Sequence, residues 1–195
     1  MRSIIAKRKL WWAGALLIVL VLTALYHLTA SPPVVIITCD SDNDGQLETY
    51  QLANEQVTVE MDDTTIWQSE PGWKVTDLVL ADVDDDGQAE MLLVLWKYGS
   101  FGISRPMWME GEDREYSNHL FVYRLVAGRM KPVWCSSAIE YPIVHLQVAD
   151  YDGDGRQELL VTEGPSAGLF YSIRSLFYQN ETIWQWQDWG FTLVE

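Results

Sequence analysis

The sequence predicts a mainly β protein, three four-stranded units preceded by a single N-terminal transmembrane helix. Three observations support this. The run LWWAGALLIVLVLTALYHL, uncharged with His27 neutral, spans Leu10 to Leu28. The nine-residue pattern D-x-D-x-D-G-x-x-E then occurs three times. Short runs rich in Val, Ile, Leu and aromatics flank every copy, as strands bounded by turn residues do.

Composition sets the outer bounds. The 195 residues suit one modest domain. A hydrophobic fraction of 48%, with 10 Trp, 9 Tyr and 5 Phe, excludes a disordered chain. With 28 acidic residues against 13 basic ones, the formal charge is −15. That argues against a nucleic-acid partner, which needs clustered Lys and Arg. Two cysteines are too few for a disulfide scaffold and lack zinc-finger spacing. The charge is also uneven. Arg2, Lys7, Arg8 and Lys9 fall in the first 30 residues, which hold no acid, so all 28 acids lie in the remainder.

The first segment reads as a membrane anchor. A helix over Leu10–Leu28 would be about 28 Å long, close to the hydrocarbon thickness of a bilayer. Trp11 and Trp12 at one end and Tyr26 and His27 at the other suit the two interfaces. The basic residues ahead of it stay cytoplasmic, which places the acidic part outside. The expected domains are a cytoplasmic tail over 1–9, a signal-anchor over 10–28, a linker over 29–33 and an extracytoplasmic β-repeat domain over 34–195. Pro32-Pro33 ends the helix. The rival is a signal peptide cleaved near Ala30, giving a secreted protein, although the apolar run exceeds the usual length. No Cys just past the run suggests a lipoprotein anchor.

The remainder is a repeat. ITCDSDNDGQLETYQL from Ile37, VLADVDDDGQAEMLLV from Val79 and QVADYDGDGRQELLVT from Gln147 align with one another. A second element recurs as IWQSEPGWKV from Ile66, VWCSSAIEYPIV from Val133 and IWQWQDWGFTLV from Ile183. Strands are expected to enter the acidic turns over Val34–Cys39, Thr76–Ala81 and Ile143–Ala149. Others leave them over Leu47–Leu52, Glu90–Trp96 and Glu158–Val161. Further strands are expected at Gln56–Met61, Thr65–Trp67, Leu120–Leu125, Lys131–Cys135, Ser172–Tyr178 and Thr182–Trp186.

About four strands per unit is the format of a propeller blade. Three blades fall short of the usual four or more, so the propeller is incomplete, an open barrel, or completed by a homodimer. Trp189–Val194 reads as the first strand of a fourth blade. The unpatterned stretch from Lys97 to Asn118 is an insert in the second unit.

Alternating carboxylates in a tight turn suit a hard cation. Calcium takes about six to eight oxygen ligands, and Gly at the sixth position permits the sharp turn. The candidate ligands are Asp40, Asp42, Asp44, Gln46 and Glu48; Asp82, Asp84, Asp86, Gln88 and Glu90; and Asp150, Asp152, Asp154, Arg156 and Glu158. Gln46, Gln88 and Arg156 would contribute backbone carbonyls. An EF-hand is rejected, because position twelve is Gln51, Leu93 or Val161 and the flanks are strands. The metal-free alternative is a set of Asp-Gly turns held by side-chain bonds to their own backbone. Against it, 13 of the 28 acids crowd into three turns, where like charges repel.

With Glu at the ninth position and strands on both sides, the region from residue 34 to 193 resembles the FG-GAP or VCBS repeat, the calcium-loop blade of integrin-alpha-like propellers. Phe101-Gly102 and Gly168-Leu169-Phe170 are its only echoes of the Phe-Gly-Gly-Ala-Pro stretch. The resemblance implies up to three calcium ions and a binding or adhesive role without catalysis.

Other residues read more plainly. Cys39 replaces Ala81 and Ala149 just before the first Asp, a small core position, and nothing in the repeat brings it to Cys135. His119 and His145 are isolated, and read as core or strand-edge histidines. Glu163, Glu110, Glu112 and Asp113 read as solvated loop acids. Trp67, Trp134 and Trp184 recur at one point of the repeat and read as blade packing. The insert concentrates Phe101, Arg105, Met107, Trp108 and Met109, residue types common at interfaces. A binding loop is expected there, against packing over the blade edge.

The function expected is a membrane-anchored calcium-binding domain for protein or carbohydrate ligands. A structural or assembly module of the cell envelope is the alternative, and a propeller-type hydrolase or lyase a third, lacking a catalytic constellation.

Overall fold

Short alternating runs broken by tight turns assemble into twelve strands among the described residues. The structure, a computed structural model, describes residues 34–165 and 180–194. These belong to one unit beginning at Pro33. The segments expected over 1–9, 10–28 and 29–33, the strand expected at Ser172–Tyr178 and the Gly168-Leu169-Phe170 echo lie outside the described residues. Among those described, no helix is long and apolar enough to cross a membrane.

The first antiparallel sheet is β1 (Val35–Cys39), β2 (Glu48–Ala53), β3 (Gln56–Met61) and β4 (Thr64–Gln68), in that order. The second is β5 (Lys74–Ala81), β6 (Glu90–Tyr98), β7 (Tyr116–Val126) and β8 (Arg129–Cys135). The third is β9 (Ile143–Ala149), β10 (Glu158–Glu163), β11 (Asn180–Gln187) and β12 (Gly190–Leu193). Each acidic turn joins the first strand of a sheet to the second. Two-residue turns close several hairpins, with Asn54-Glu55, Asp62-Asp63 and Ala127-Gly128 all at positive φ. That is the turn whose twist matches the flanking strands.

The second sheet lies between the other two. Along β6, Met91, Leu93 and Leu95 enter one core with Tyr50, Leu52, Val57 and Val59 of the first sheet. The alternate residues Leu92 and Val94 enter a second core with Leu146, Leu159 and Val161 of the third. Alternation along the strand explains both cores, and burial on two faces explains why β6 is apolar almost throughout. Truncating Leu93 to Ala would cost about 2–5 kcal/mol.

Aromatic and polar contacts fasten the sheets to one another. Trp67 on β4 packs on Tyr123 of β7, with ring centroids 5.2 Å apart. Trp134 on β8 meets Phe191 of β12 edge-on at 5.6 Å. Asp77 on β5 accepts the Leu146 N–H of β9 at 3.0 Å. The buried Asn118 accepts the Ile143 N–H at 2.9 Å and donates to the Leu95 carbonyl.

Several expectations are corrected. Residues 190–193 complete the third sheet as its fourth strand, pairing with β11, and begin no further blade. Trp67 and Trp134 stand on fourth strands, but Trp184 stands on the third strand of its sheet. The insert is narrower than Lys97–Asn118, because β6 runs to Tyr98 and β7 starts at Tyr116. Strong apolar strands carry pairing outward until the chain must turn. Among the described residues the three sheets form no closed barrel.

Candidate metal centres

The three acidic turns share one construction. The Asp at position one folds back to accept backbone N–H groups of its own turn. Asp40 accepts those of Asp44 and Gly45, both at 3.0 Å. Asp82 accepts those of Asp86 and Gly87 at 3.1 and 2.8 Å. Asp150 accepts those of Gly153 and Gly155 at 2.7 and 3.1 Å. The Asp at position five accepts the N–H of position seven: Asp44 from Gln46, Asp86 from Gln88, Asp154 from Arg156. Backbone direction reverses at positions four and six, where Asn43 and Gly45, Asp85 and Gly87, and Gly153 and Gly155 all have positive φ. Glycine at position six adopts that geometry without steric cost.

Behind each turn stands the position-nine Glu, on the first residue of the second strand. Glu48, Glu90 and Glu158 are 0%, 0% and 2% exposed. Each accepts the N–H of position two: Ser41 at 2.9 Å, Val83 at 3.1 Å and Tyr151 at 2.9 Å. A carboxylate is costly to bury without compensation, and one backbone bond satisfies only part of it.

Ligand-type atoms converge in all three turns. Oxygens of Asp40, Asp42 and Glu48 lie within 4.8 Å of one another, as do those of Asp82, Asp84 and Asp86, and those of Asp150, Asp152 and Glu158. Each group could hold a metal ion. In the first turn Asp42 Oδ1 and Glu48 Oε1 are buried without a hydrogen-bond partner. Burial and the neighbouring Asp44 charge push the Asp42 carboxyl above its ordinary range. The structure brings position one, position three and position nine together in the first and third turns. There Asp44 and Asp154 serve the backbone instead. Gln46, Gln88 and Arg156 are seen only as donors, Gln46 also through its side chain to Asp44.

The turns also touch one another. Asn43 donates to the Gly87 carbonyl at 2.7 Å, and the Ala89 N–H donates to the Ser41 carbonyl at 2.9 Å. Arg156 of the third turn pairs with Asp85 of the second at 2.9 Å. All three therefore share one edge of the stack.

Two residues the motif does not include belong to these centres. Ser41 donates its hydroxyl to Glu48 at 2.8 Å and bonds the Tyr50 hydroxyl at 2.7 Å. Arg124 of β7 reaches Asp84, Asp86 and Glu90 at 2.5, 2.7 and 2.6 Å. Burial pushes the Glu90 carboxyl up to about 7, with the Val83 N–H and Arg124 pulling the other way. The signal for Arg124 was present: one cation in the apolar strand LFVYRLV.

The insert divides. Phe101 sits at its base, where its carbonyl accepts Lys97 Nζ at 2.6 Å. Arg105 is an internal clasp, donating to the Met109 carbonyl at 2.9 Å and to the Gly111 carbonyl. Met107 and Trp108 stand free at the tip, 100% and 83% exposed, with Met109 partly covered beside them. Asp113 is no free loop acid: it accepts the Ser100 N–H at 2.6 Å and closes the loop. Glu163 is likewise buried, bonded to Thr182 and Asn180. His119 is a core histidine with its ring between the Ser136 and Gly99 carbonyls. His145 is exposed beside Asp77. Cys39 and Cys135 are free thiols, both packed against the first core.

The chain matches no protein-family model and no curated protein.

Proposed function

We propose that this chain is a membrane-anchored, extracytoplasmic calcium-binding β-repeat protein that acts in binding or adhesion, without catalysis. The observation that supports it most is the first acidic turn, where Asp42 and Glu48 belong to one convergent group and each has a buried carboxylate oxygen with no donor. A divalent cation there would answer both the repulsion and the lost hydration. A third carboxylate, Asp40, completes the group. The three units read as propeller-like blades of the FG-GAP or VCBS type, and calcium holds the ends of two strands together in each occupied turn.

The ligand, protein or carbohydrate, would meet the Met107-Trp108 tip, an exposed apolar projection on a clasped loop. The test is capture of the full chain, in mild detergent, by arrayed glycans and envelope proteins, with calcium and with chelator. Calcium-dependent capture that is lost in Met107→Ser/Trp108→Ser supports the reading. Capture indifferent to both defeats it.

An assembly module of the envelope is the second reading, supported by three sheets that, among the described residues, close no ring. Two chains would then complete one propeller. The mass of the full chain in detergent, with and without calcium, separates monomer from dimer.

A further inference from the structure

The three acidic turns match in motif but differ in the residue that faces the buried Glu from the third strand. Glu48 is opposite Met61, and Glu158 is opposite Gln185. In the second sheet, the register that pairs Met91 with Tyr123 brings Arg124 beside Glu90. The series is therefore a thioether, a neutral amide and a guanidinium.

The consequence is visible atom by atom. Arg124 Nε and Nη2 both reach Glu90 Oε1, at 2.7 and 2.6 Å. Nη2 also reaches Asp84 Oδ2 at 2.5 Å, and Nη1 reaches Asp86 Oδ2 at 2.7 Å. One guanidinium thus contacts the carboxylates at positions three, five and nine. Asp85, the extra acid of this turn, is taken by Arg156. In the first turn Met61 has no donor to offer, and both Asp42 Oδ1 and the position-nine Glu48 Oε1 stay unpartnered; in the second turn Asp84 Oδ1 alone does. In the third, Glu158 has the Tyr151 N–H at 2.9 Å and, from the third strand, the neutral Gln185 amide at 3.4 Å. The convergent acids follow suit: position nine joins the group in the first and third turns and leaves it in the second, where Glu90 is drawn to Arg124.

We propose that the second acidic turn carries its own cation, Arg124, in place of a metal ion, and that calcium binding is confined to the first and third turns. This rests on the calcium reading above for those two turns. Arginine stays protonated at all relevant pH, and its planar fork matches carboxylates. A metal entering the second turn must displace a guanidinium that already has three partners. The second sheet is the central one, and its brace is independent of the external calcium level.

The test is calcium alone, titrated into the full chain in detergent by calorimetry, with bound ions counted by elemental analysis. The wild type is expected to bind two ions. Asp42→Asn and Asp152→Asn should each lose one, and Asp84→Asn should lose none. Arg124→Gln, which copies the third turn, should bind three. Met61→Arg, which copies the second turn, should lose one and tests the same idea should Arg124→Gln not fold. Three ions in the wild type, or one lost in Asp84→Asn, would overturn the proposal while leaving the calcium reading intact. No ions in any variant would overturn both.

Discussion

The Asn43 side chain of the first acidic turn donates to the Gly87 carbonyl of the second at 2.7 Å. A polar residue that also tolerates positive φ (59° here) thus ties two turns from different sheets. Asn43→Gly keeps the backbone geometry and removes only this bond. It should lower stability by about 0.5–1.5 kcal/mol, read as a shift in the urea midpoint. An unchanged midpoint would mean that this bond adds nothing to the hold between the first two sheets.

Gly190 and Trp134 give a sharper steric test. A Cβ on Gly190 would lie 2.5 Å from Trp134 Nε1, and the φ of 150° suits glycine. Gly190→Ala should therefore cost about 1–3 kcal/mol by forcing the indole away from Phe191. Adding Trp134→Phe should recover part of that loss, a coupling that a double-mutant cycle would measure. Strict additivity would place the damage in the backbone alone.

His119 predicts a pH dependence. Burial and the nearby Lys97 lower its pKa below the ordinary 6.5, against the Ser136 and Gly99 carbonyls and Asp113. Because the folded value is the lower one, the neutral ring's contribution is complete above about pH 6.5 and is lost as pH falls through the folded value. Glu90, raised, acts in the opposite sense and is common to both proteins. In chelator, the stability difference between wild type and His119→Gln should shrink from pH 7.5 to pH 5.5. A difference that stays constant would show that this ring does not titrate on unfolding.

The insert should separate into a structural base and a free tip. Met107→Ser/Trp108→Ser should leave the thermal midpoint unchanged, because neither side chain is covered. Asp113→Ala should lower it and hasten proteolysis between residues 103 and 111, because the Ser100 clasp is lost. Equal effects of the two would mean that the tip packs in solution.

Much of this was legible in the residues. Turn residues punctuate the strands so strongly that Gln56–Met61, between Asn54-Glu55 and Asp62-Asp63, and Ile143–Ala149, between Pro142 and Asp150, match their expected bounds. A strand over Glu90–Trp96 is expected from the residues, but its burial on both faces emerges only from the two cores it enters. Other features depend on pairing, which local pattern does not encode. GFTL resembles the start of a unit, and only its hydrogen bonds to β11 make it the end of one. Asp113 and Glu163 look like solvent-facing acids until Ser100 meets the first and Asn180 and Thr182 of β11 meet the second. The motif named the turns alike, but Met61, Arg124 and Gln185 distinguish them from a neighbouring strand.

The most direct test is the melting curve of the full chain in detergent, first in chelator and then at millimolar calcium. Extracellular modules bind calcium with Kd of about 10⁻⁴–10⁻³ M. At about ten times Kd, linkage adds roughly 1.4 kcal/mol per independent site, or about 3 kcal/mol for two. For a chain of this size that is a rise of roughly 6–12 °C. The account predicts that rise with calcium, and much less with magnesium, which demands near-ideal octahedral geometry and sheds its water reluctantly. An identical curve in chelator, with no bound metal by elemental analysis, would contradict it and leave the turns as Asp-Gly bends held by their own hydrogen bonds.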